Sequence, residues 1–239
     1  MLKMFTPHVF SKSVLLNYSI TYSYLTIPFP CRLICIMIVV IDYNVGNVKS
    51  VCNAFLHIGC DVKLSCEPEQ IEAAAALVLP GVAAFGYAVS ALGPLSELIK
   101  KVALNGKPLL GICVGYQMLF DRSTEHGTHR GLGLIAGDIV PLPPGRIIPH
   151  MGWNSVKPPE DMELFADIAK EKYFYFAHSF YSQISDEKTK IAYTDYGFLL
   201  PAAVQKKNIC GTQFHPEKSG KTGLKVLRNF AGIAQKGRC

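Results

Sequence analysis

Hydrophobic residues recur at two different spacings in the first half of the chain, from Met37 to about Phe120. Short apolar runs alternate with segments whose apolar residues fall at helical spacing. The first run, 38–41, is hydrophobic at every position, which is typical of a strand buried on both faces. The predicted elements are a strand at 38–41, a helix at 48–58, a strand at 61–65, a short helix from Pro68, a strand at 76–79 ending in Pro80-Gly81, a helix through 92–102, a strand at 108–112 and a helix at 116–120.

The second half, from Gly131 to about Gln213, has short apolar runs separated by Gly and Pro turns, and helical spacing returns only with Leu224, Leu227 and Phe230. Its predicted strands are 132–135, 139–142, 173–176, 191–193, 202–205 and 208–212. The whole pattern predicts an α/β fold: a central, mostly parallel sheet covered by helices on both faces, with a smaller antiparallel or mixed sheet in the second half. In such a fold the active site is expected at the carboxyl ends of the parallel strands.

Residues 1–36 differ from the rest of the chain. They are rich in Ser, Thr, Tyr and Phe and contain no Asp or Glu. Their apolar run continues through 33–41 into the first predicted strand without a small-residue cleavage site, which argues against a signal peptide. We expect a dispensable extension, either disordered or translated from an over-early start codon, followed by one domain at 37–239.

Composition narrows the class of protein. With 49% hydrophobic and 18% charged residues the chain is not of the disordered type, and no apolar run reaches the roughly 18 to 20 residues of a membrane helix. The net charge of +6 includes Lys3, Lys12 and Arg32 of the extension, and no basic cluster suggests nucleic-acid binding. The eight cysteines form no C-x-x-C pair and no zinc-like spacing with His, so we expect neither a metal nor a cofactor, and a cytoplasmic location.

A cysteine between glycines, Gly111-Ile112-Cys113-Val114-Gly115, separates a predicted strand from a predicted helix. This is the setting of a nucleophile elbow, a sharp turn that holds the nucleophile in a strained backbone conformation. Gly111 and Gly115 keep the turn possible, because side chains at these positions would collide. The helix N-terminus favours a thiolate and offers N–H groups to an oxyanion. Cys113 is therefore a candidate nucleophile, the alternative being a small buried residue in a glycine turn.

His215 is the candidate base among the seven histidines. It follows the predicted strand 208–212, which a parallel sheet would deliver to the edge that carries Cys113. Glu217 can hold the second imidazole nitrogen, which completes a nucleophile, a base and an orienting carboxylate. A His-Pro-Glu turn alone is more often an ordinary loop. Its combination with the cysteine elbow and the α/β pattern favours a catalytic triad.

These segments resemble those of class I, triad-type glutamine amidotransferases, chiefly in 111–117 (GICVGYQ) and 214–218 (FHPEK). Within that family the chain is similar to the glutaminase subunit of imidazole glycerol phosphate synthase, an enzyme of histidine biosynthesis. The closer similarity is carried by 42–47 (DYNVGN), 79–86 (LPGVAAFG), 131–137 (GLGLIAG), 150–154 (HMGWN) and 175–180 (YFAHSF). It covers 37–231 and leaves out the extension.

The resemblance implies a reaction and a set of site residues. Cys113 attacks the side-chain amide of L-glutamine to give a glutamyl thioester and ammonia, and water then releases glutamate, with His215 as base and acid and Glu217 as the orienting group. The implied oxyanion hole combines the N–H of Val114 with an N–H of the turn at Gly81 and Val82. The residues implied to hold the substrate, each of which could instead be structural, are Gln117, Glu125, His178, Ser179 and Phe180.

A partner enzyme is expected, because free ammonia is mostly protonated at neutral pH and is then a poor nucleophile. It therefore has to be passed to an acceptor enzyme before it escapes. The resemblance implies a (β/α)8-barrel cyclase that makes imidazole glycerol phosphate and an aminoimidazole carboxamide ribotide. Lys218, Asn47 and Trp153 are the expected interface residues. Trp153, the only tryptophan, is predicted in a loop, where it suits an interface anchor, and a buried core position is the alternative.

The sequence departs from the family pattern at three points. Val114 replaces a more usual leucine, which we expect to be harmless because the backbone amide acts. Ala83 replaces a frequent glycine and is expected to restrict the peptide flip that switches the oxyanion hole on. The extension has no counterpart in the family.

Three other functions stay open at this point. The first is a related subunit that donates ammonia to a sugar-modifying enzyme of surface polysaccharide. The second is a catalytically silent scaffold subunit, against which the intact triad argues. The third is a cysteine peptidase or esterase, which would ignore free glutamine.

Overall fold

A computed structural model describes residues 36–169 and 172–237 of the chain. Of the predicted extension, only Ile36 belongs to this part, and residues 1–35 lie outside it. Within the described ranges, no helix combines the length and apolar character needed to cross a membrane.

The secondary structure alternates strands and helices in the first half and is mostly β in the second. The strands are β1 (Met37–Ile41), β2 (Asp61–Ser65), β3 (Ala76–Gly81), β4 (Leu109–Cys113), β5 (Arg122–Ser123), β6 (His129–Arg130), β7 (Gly137–Pro141), β8 (His150–Val156), β9 (Lys172–His178), β10 (Phe180–Ile184), β11 (Lys190–Asp195), β12 (Leu199–Lys206) and β13 (Ile209–Thr212). The α-helices are α1 (Val48–His57), α2 (Pro68–Ala73), α3 (Phe85–Leu92), α4 (Leu95–Leu104), α5 (Val114–Gln117) and α6 (Gly220–Lys236), and 3₁₀ helices occur at Glu163–Phe165 and Pro216–Lys218.

The central sheet has the strand order β11-β12-β13-β4-β3-β1-β2. Strands β13, β4, β3, β1 and β2 run parallel, while β11 and β12 form an antiparallel edge. A smaller mixed sheet, β10-β7-β5-β6, and the antiparallel pair β8-β9 are built from the second half. The predicted fold class is confirmed.

Strands β3 and β4 form the centre of the core, with every residue buried. Their registers matter for function, since Gly81 at the end of β3 pairs with Cys113 at the end of β4, and Ile112 pairs with Thr212 at the end of β13. Parallel strands that end together bring the segments following them to one edge. The two candidate triad segments and the Pro80-Gly81 turn therefore meet there.

Three predicted elements were wrong: the strand 132–135, the single helix through 92–102 and the helix 116–120, in which α5 already ends at Gln117. The segment 132–135 is not a strand, although Leu132, Leu134 and Ile135 are buried. Its backbone N–H groups are instead bonded to the carbonyls of Met118, Leu119 and Phe120. The predicted helix through 92–102 is two helices, α3 and α4, because Gly93 has φ 51° and Pro94 follows it.

Strand β8 was missed, and Trp153 was predicted in a loop. The segment 150–156 lacks an alternating pattern because much of it is exposed or half-buried. Trp153 lies in this strand opposite Tyr175 of β9, with 58% of its surface exposed. The core position is thereby excluded.

Candidate active site

Cys113 occupies the sharp turn between β4 and α5 that the sequence pattern predicted. Its φ is 55° and its ψ is −109°, a strained conformation for a residue other than glycine. A Cβ at Gly111 would lie 2.5 Å from the carbonyl oxygen of Gly115, and a Cβ at Gly115 would lie 1.7 Å from that of Leu79. Both glycines are thus required by close backbone contacts, as the sequence pattern predicted.

His215 lies in the turn after β13, the strand beside β4. Its side chain lines the same cleft as Cys113 and interacts with it electrostatically, and its Nδ1 lies 2.8 Å from Oε1 of Glu217. The backbone is held in place as well, because its N–H donates to the carbonyl of Tyr175 (2.9 Å) and its carbonyl accepts the Ser219 hydroxyl (2.6 Å). The three predicted triad residues therefore adjoin one another in one row.

The electrostatics of this row favour a protonated imidazole. Burial by itself would lower the pKa of His215, but its hydrogen bonds and charge interactions with Cys113 and Glu217 outweigh burial and raise the pKa to about 9. These contacts therefore favour the imidazolium form of His215. Such an imidazolium can protonate the leaving group of an acyl transfer.

The turn after β3 supplies the other side of the site. Val82 and Ala83 line the same cleft as Cys113 and Val114. The hydroxyl of Tyr43 donates to the carbonyl of Pro80 at 2.5 Å, which fixes the peptide that precedes Gly81. A Cβ at Gly81 would approach that hydroxyl to 2.9 Å.

Sequence reasoning did not single out Tyr43 as a site residue, although it belongs to the segment 42–47 that carries the family resemblance. Its hydroxyl is buried, and burial chiefly raises its pKa well above the usual value, with the charge of Cys113 adding to the effect. Tyr43 therefore stays a neutral donor toward Pro80. The distance of Tyr43 from the predicted turn, 37 positions along the chain, hides this role in the sequence.

A cleft of about 370 Å³ opens over Cys113 and His215. All of the residues predicted to hold the substrate line it: Gln117, Glu125, His178, Ser179 and Phe180. Lys218 lies at the same cleft. The fold thus brings together side chains that the sequence separates by about a hundred positions.

Gln117 has its amide nitrogen committed within the protein. Nε2 donates to Oε1 of Gln213 at 3.0 Å and to the carbonyl of Phe180 at 3.3 Å. Both hydrogens of this amide nitrogen are thus used within the protein. Gln213 is fully buried and was not predicted as a site residue, because its partner Gln117 is 96 positions away.

Glu125 and His178 also contact the protein around the cleft. The Oε2 of Glu125 accepts the backbone N–H of Phe85 at 2.6 Å, so this carboxylate caps the helix that follows the Pro80-Gly81 turn. Both ring nitrogens of His178 are hydrogen bonded, one to the carbonyl of Phe180 and the other to His150. His178 shapes the cleft wall rather than presenting a free nitrogen to it.

The predicted interface residues are only partly clustered. Lys218 lies 5.8 Å from the ring centroid of Tyr175, and Trp153 packs edge-on against the same ring at 6.2 Å. Asn47 precedes α1 and is half-buried, next to Gly46, which packs against the Pro80-Gly81 turn. Among the described residues no group of three or more His, Cys, Asp or Glu side chains could hold a metal ion.

A family model described as glutamine amidotransferase class-I matches residues 39–233 of the chain. The chain belongs to this family. The amidotransferase is 49% identical over 197 residues to the imidazole glycerol phosphate synthase subunit HisH of Methanothermobacter thermautotrophicus. The matched region covers 82% of this chain and 98% of the relative. It is 48% identical over 205 residues to the subunit of the same name from Lacticaseibacillus casei, with coverage of 83% and 97%.

Solved structures share the fold of this chain. PurLQS from Thermotoga maritima matches the amidotransferase with a TM-score of 0.67 at 21% identity, over 83% of this chain and 98% of that one. A glutamine amidotransferase from the same organism matches with a TM-score of 0.57 at 16% identity, over 85% of each chain. At these identities the similarity shows the fold, and the relatives named HisH identify the branch of the family.

Proposed function

We propose that this chain is the glutaminase subunit of an imidazole glycerol phosphate synthase and that Cys113, His215 and Glu217 are its catalytic triad. The observation that carries the proposal is the row of these three side chains beside a cleft, at the edge where β3, β4 and β13 end. The high identity to HisH subunits supports this function over other cysteine-dependent hydrolyses on the same scaffold.

The proposed reaction proceeds by acyl transfer to sulfur. The Cys113 sulfur attacks the side-chain amide carbon of L-glutamine while His215 holds the thiol proton. His215 passes its proton to the nitrogen as the C–N bond breaks. Ammonia is released, and the glutamyl group remains bound to Cys113 as a thioester. Water then attacks the thioester with His215 as base. This step releases glutamate and restores the Cys113 thiol. No metal or cofactor takes part in any step.

The tetrahedral intermediates in this scheme carry a negative oxygen that needs fixed N–H donors. We assign this role to the N–H of Val114, the first residue of α5, together with an N–H of Gly81 or Val82. Tyr43 supports the assignment, since its bond to the Pro80 carbonyl restrains the adjoining peptide. Ala83, in place of the frequent glycine, is expected to make this turn stiffer.

The amino-acid end of glutamine requires partners for an ammonium and a carboxylate. Glu125 supplies a negative charge at the cleft, and Oε1 of Gln117 is an acceptor. The backbone around Ser179 and Phe180 runs along the same wall and has further polar groups to offer. His178 acts here through its contact with Phe180.

The proposed partner is a (β/α)8-barrel cyclase that receives ammonia directly and forms imidazole glycerol phosphate and an aminoimidazole carboxamide ribotide. A patch around the cleft mouth suits such docking: Val82, Met151, Trp153 and Tyr173 are exposed apolar residues, and Lys218 lies beside them. Exposed aromatic residues with a nearby cation are typical anchors of protein interfaces. We place the complex in the cytoplasm.

The test is glutamate release from L-glutamine by the full-length chain, alone and with the cognate cyclase subunit and its ribulosyl ligand. We expect stimulation by the partner and loss of at least about a thousandfold in the Cys113→Ala variant. Cys66→Ser, which changes an exposed cysteine, is the matched control and should retain activity. Glutamate release without stimulation by the cyclase would favour another acceptor, such as a sugar-modifying enzyme of polysaccharide synthesis. Absence of release under every condition would indicate a silent scaffold subunit.

A further inference from the structure

Behind the cleft wall lies a row of polar side chains, of which the proposed function uses only His178. Nδ1 of His178 lies 2.8 Å from the carbonyl oxygen of Phe180, and its Nε2 lies 3.0 Å from Nδ1 of His150. Nε2 of His150 lies 3.4 Å from Nδ2 of Asn154. The row thus runs from strand β8 to the bend between β9 and β10.

The direction of every hydrogen bond in the row is fixed by its two ends. The Phe180 carbonyl can only accept, so Nδ1 of His178 carries the hydrogen. At the other end, Oδ1 of Asn154 accepts the Ser155 N–H at 2.8 Å and Nδ2 donates to the Asp195 carbonyl at 2.9 Å, which orients the amide. Nδ2 therefore donates to His150 as well.

Neutral rings complete this order. Burial lowers the pKa of His150 to about 4, and burial chiefly lowers the pKa of His178 to about 3, although the bond to Phe180 opposes the change. Each ring consequently has one hydrogen at neutral pH. Since Nδ1 of His178 holds its hydrogen, Nε2 accepts, and Nδ1 of His150 is the donor.

His150 is held rigidly for this task. Its ring stacks between those of Phe176 and Tyr196, at centroid distances of 4.6 and 4.0 Å, and only 3% of the residue is exposed. The Tyr196 hydroxyl is itself anchored on the carbonyl of Ile147 at 2.8 Å. A rotation of the His150 ring would break both stacks.

The His178 bond matters because it spans Ser179 at the bend of the cleft wall. The carbonyl of Phe180 accepts hydrogen bonds from both Nδ1 of His178 and Nε2 of Gln117. Two side chains therefore hold the bend in place. If His178 took the other tautomer, its unprotonated Nδ1 would face the Phe180 carbonyl, and two acceptors would repel each other. The bend would then be released.

We propose that His150 is a positioning residue for glutamine binding: by donating its Nδ1–H to His178 it holds His178 in the tautomer that pins the Phe180 carbonyl and sets the Ser179 bend. This inference rests on the proposed function, because the bend is assigned there to the amino-acid end of glutamine. His150 itself does not line the cleft and acts only through His178.

Two substitutions distinguish the effect of the His150 Nδ1–H donor from that of the stacked His150 ring. His150→Phe keeps a ring between Phe176 and Tyr196 and removes the donor. His150→Asn can place its amide N–H near the position of Nδ1 and is the rescue variant. Each is compared with the full-length wild-type chain in complex with its cyclase.

Three measurements distinguish positioning from a general structural effect. Nitrogen-15 NMR of labelled histidines reads the tautomer of His178, which we expect to be Nδ1–H in the wild type and mixed in His150→Phe. The KM for glutamine should rise about tenfold or more in His150→Phe and recover in His150→Asn, with a smaller change in kcat. Alkylation of Cys113 by iodoacetamide, which makes no amino-acid contacts, should change less than about twofold.

Several results would overturn the inference. An Nε2–H tautomer of His178 in the wild type would do so without any variant, and so would an unchanged KM in His150→Phe. A rise in KM accompanied by an equally large decrease in the rate of iodoacetamide alkylation would mean a structural role only. A wild-type complex that releases no glutamate would instead overturn the proposed function, and the tautomer of His178 would still decide whether His150 is the donor.

Discussion

Nδ1 of His215 lies 2.8 Å from Oε1 of Glu217, and the two side chains are only 3% and 1% exposed. This contact leaves the opposite ring nitrogen, Nε2, for Cys113. A carboxylate in this position stabilises the imidazolium and fixes the ring orientation. It is one of the interactions that raise the pKa of His215 to about 9 despite burial.

The first prediction concerns the substitution Glu217→Gln. Below its pKa His215 holds the proton that the leaving ammonia needs, so wild-type kcat/KM should fall as the pH rises through about 9. Without the carboxylate the pKa of His215 decreases, and the alkaline decline should begin at lower pH. We also expect kcat to fall by about 10² to 10⁴.

The measurement is a pH profile of glutamate release, with Glu163→Gln as the control. Glu163 forms an exposed ion pair with Lys236 and is expected to leave the profile unchanged. An alkaline decline at the same pH in wild type and Glu217→Gln would contradict the role of Glu217.

The second prediction concerns the elbow glycine Gly115. Its missing Cβ would lie 1.7 Å from the carbonyl oxygen of Leu79, so Gly115→Ala forces β3 and α5 apart. We expect a loss of at least about 3 kcal/mol in the free energy of unfolding, together with loss of activity. Gly232→Ala is the matched control, because nothing lies within 4 Å of its Cβ position in α6.

Denaturant unfolding of both variants checks this prediction. Gly232→Ala should be neutral or stabilising by up to about 1 kcal/mol, since alanine favours a helix interior over glycine. Equal stability of the two variants would mean that the backbone around Cys113 is looser than the close contact between Gly115 and Leu79 implies.

The third prediction concerns Glu125 at the cleft. Glu125→Gln can still accept the N–H of Phe85 through its amide oxygen but has no negative charge for the substrate ammonium. We expect the KM for glutamine to rise about tenfold or more, while iodoacetamide alkylation of Cys113 is little affected. Glu97→Gln, an exposed residue in the first turn of α4, is the control. A parallel decrease in alkylation would show that the helix cap, rather than the charge, is what matters.

The fourth prediction concerns Trp153, which is 58% exposed and packs against Tyr175 at the cleft mouth. If this patch docks the cyclase, Trp153→Ala should weaken the binding free energy for the cyclase by about 2 kcal/mol or more. This corresponds to an increase in Kd of about thirtyfold. Tyr87→Ala removes an aromatic side chain of similar exposure, 62%, from α3 and serves as the control. Titration calorimetry with the cyclase subunit measures both. Equal affinities of the two variants would place the interface elsewhere.

Local patterns in the sequence determined most of the elements around the site. Short apolar runs predicted β1, β3, β4 and β13, because a strand buried on both faces is apolar along most of its length. The spacing of Gly111, Cys113 and Gly115 predicted the elbow for a similarly local reason, since the collisions it avoids lie within the turn and the strand beside it. His215 and Glu217 were predicted from their place after the strand that became β13 and from the family resemblance.

Other features depend on contacts between distant segments, and only the tertiary structure decided them. Register between β3, β4 and β13 brings His215 to Cys113, and strand β8 has no apolar periodicity that would predict it. Tyr43 reaches Pro80, Gln213 reaches Gln117, and His150 reaches His178 across 37, 96 and 28 positions. A polar side chain acquires such a partner only when the fold excludes water around it, so no local pattern marks it in the sequence.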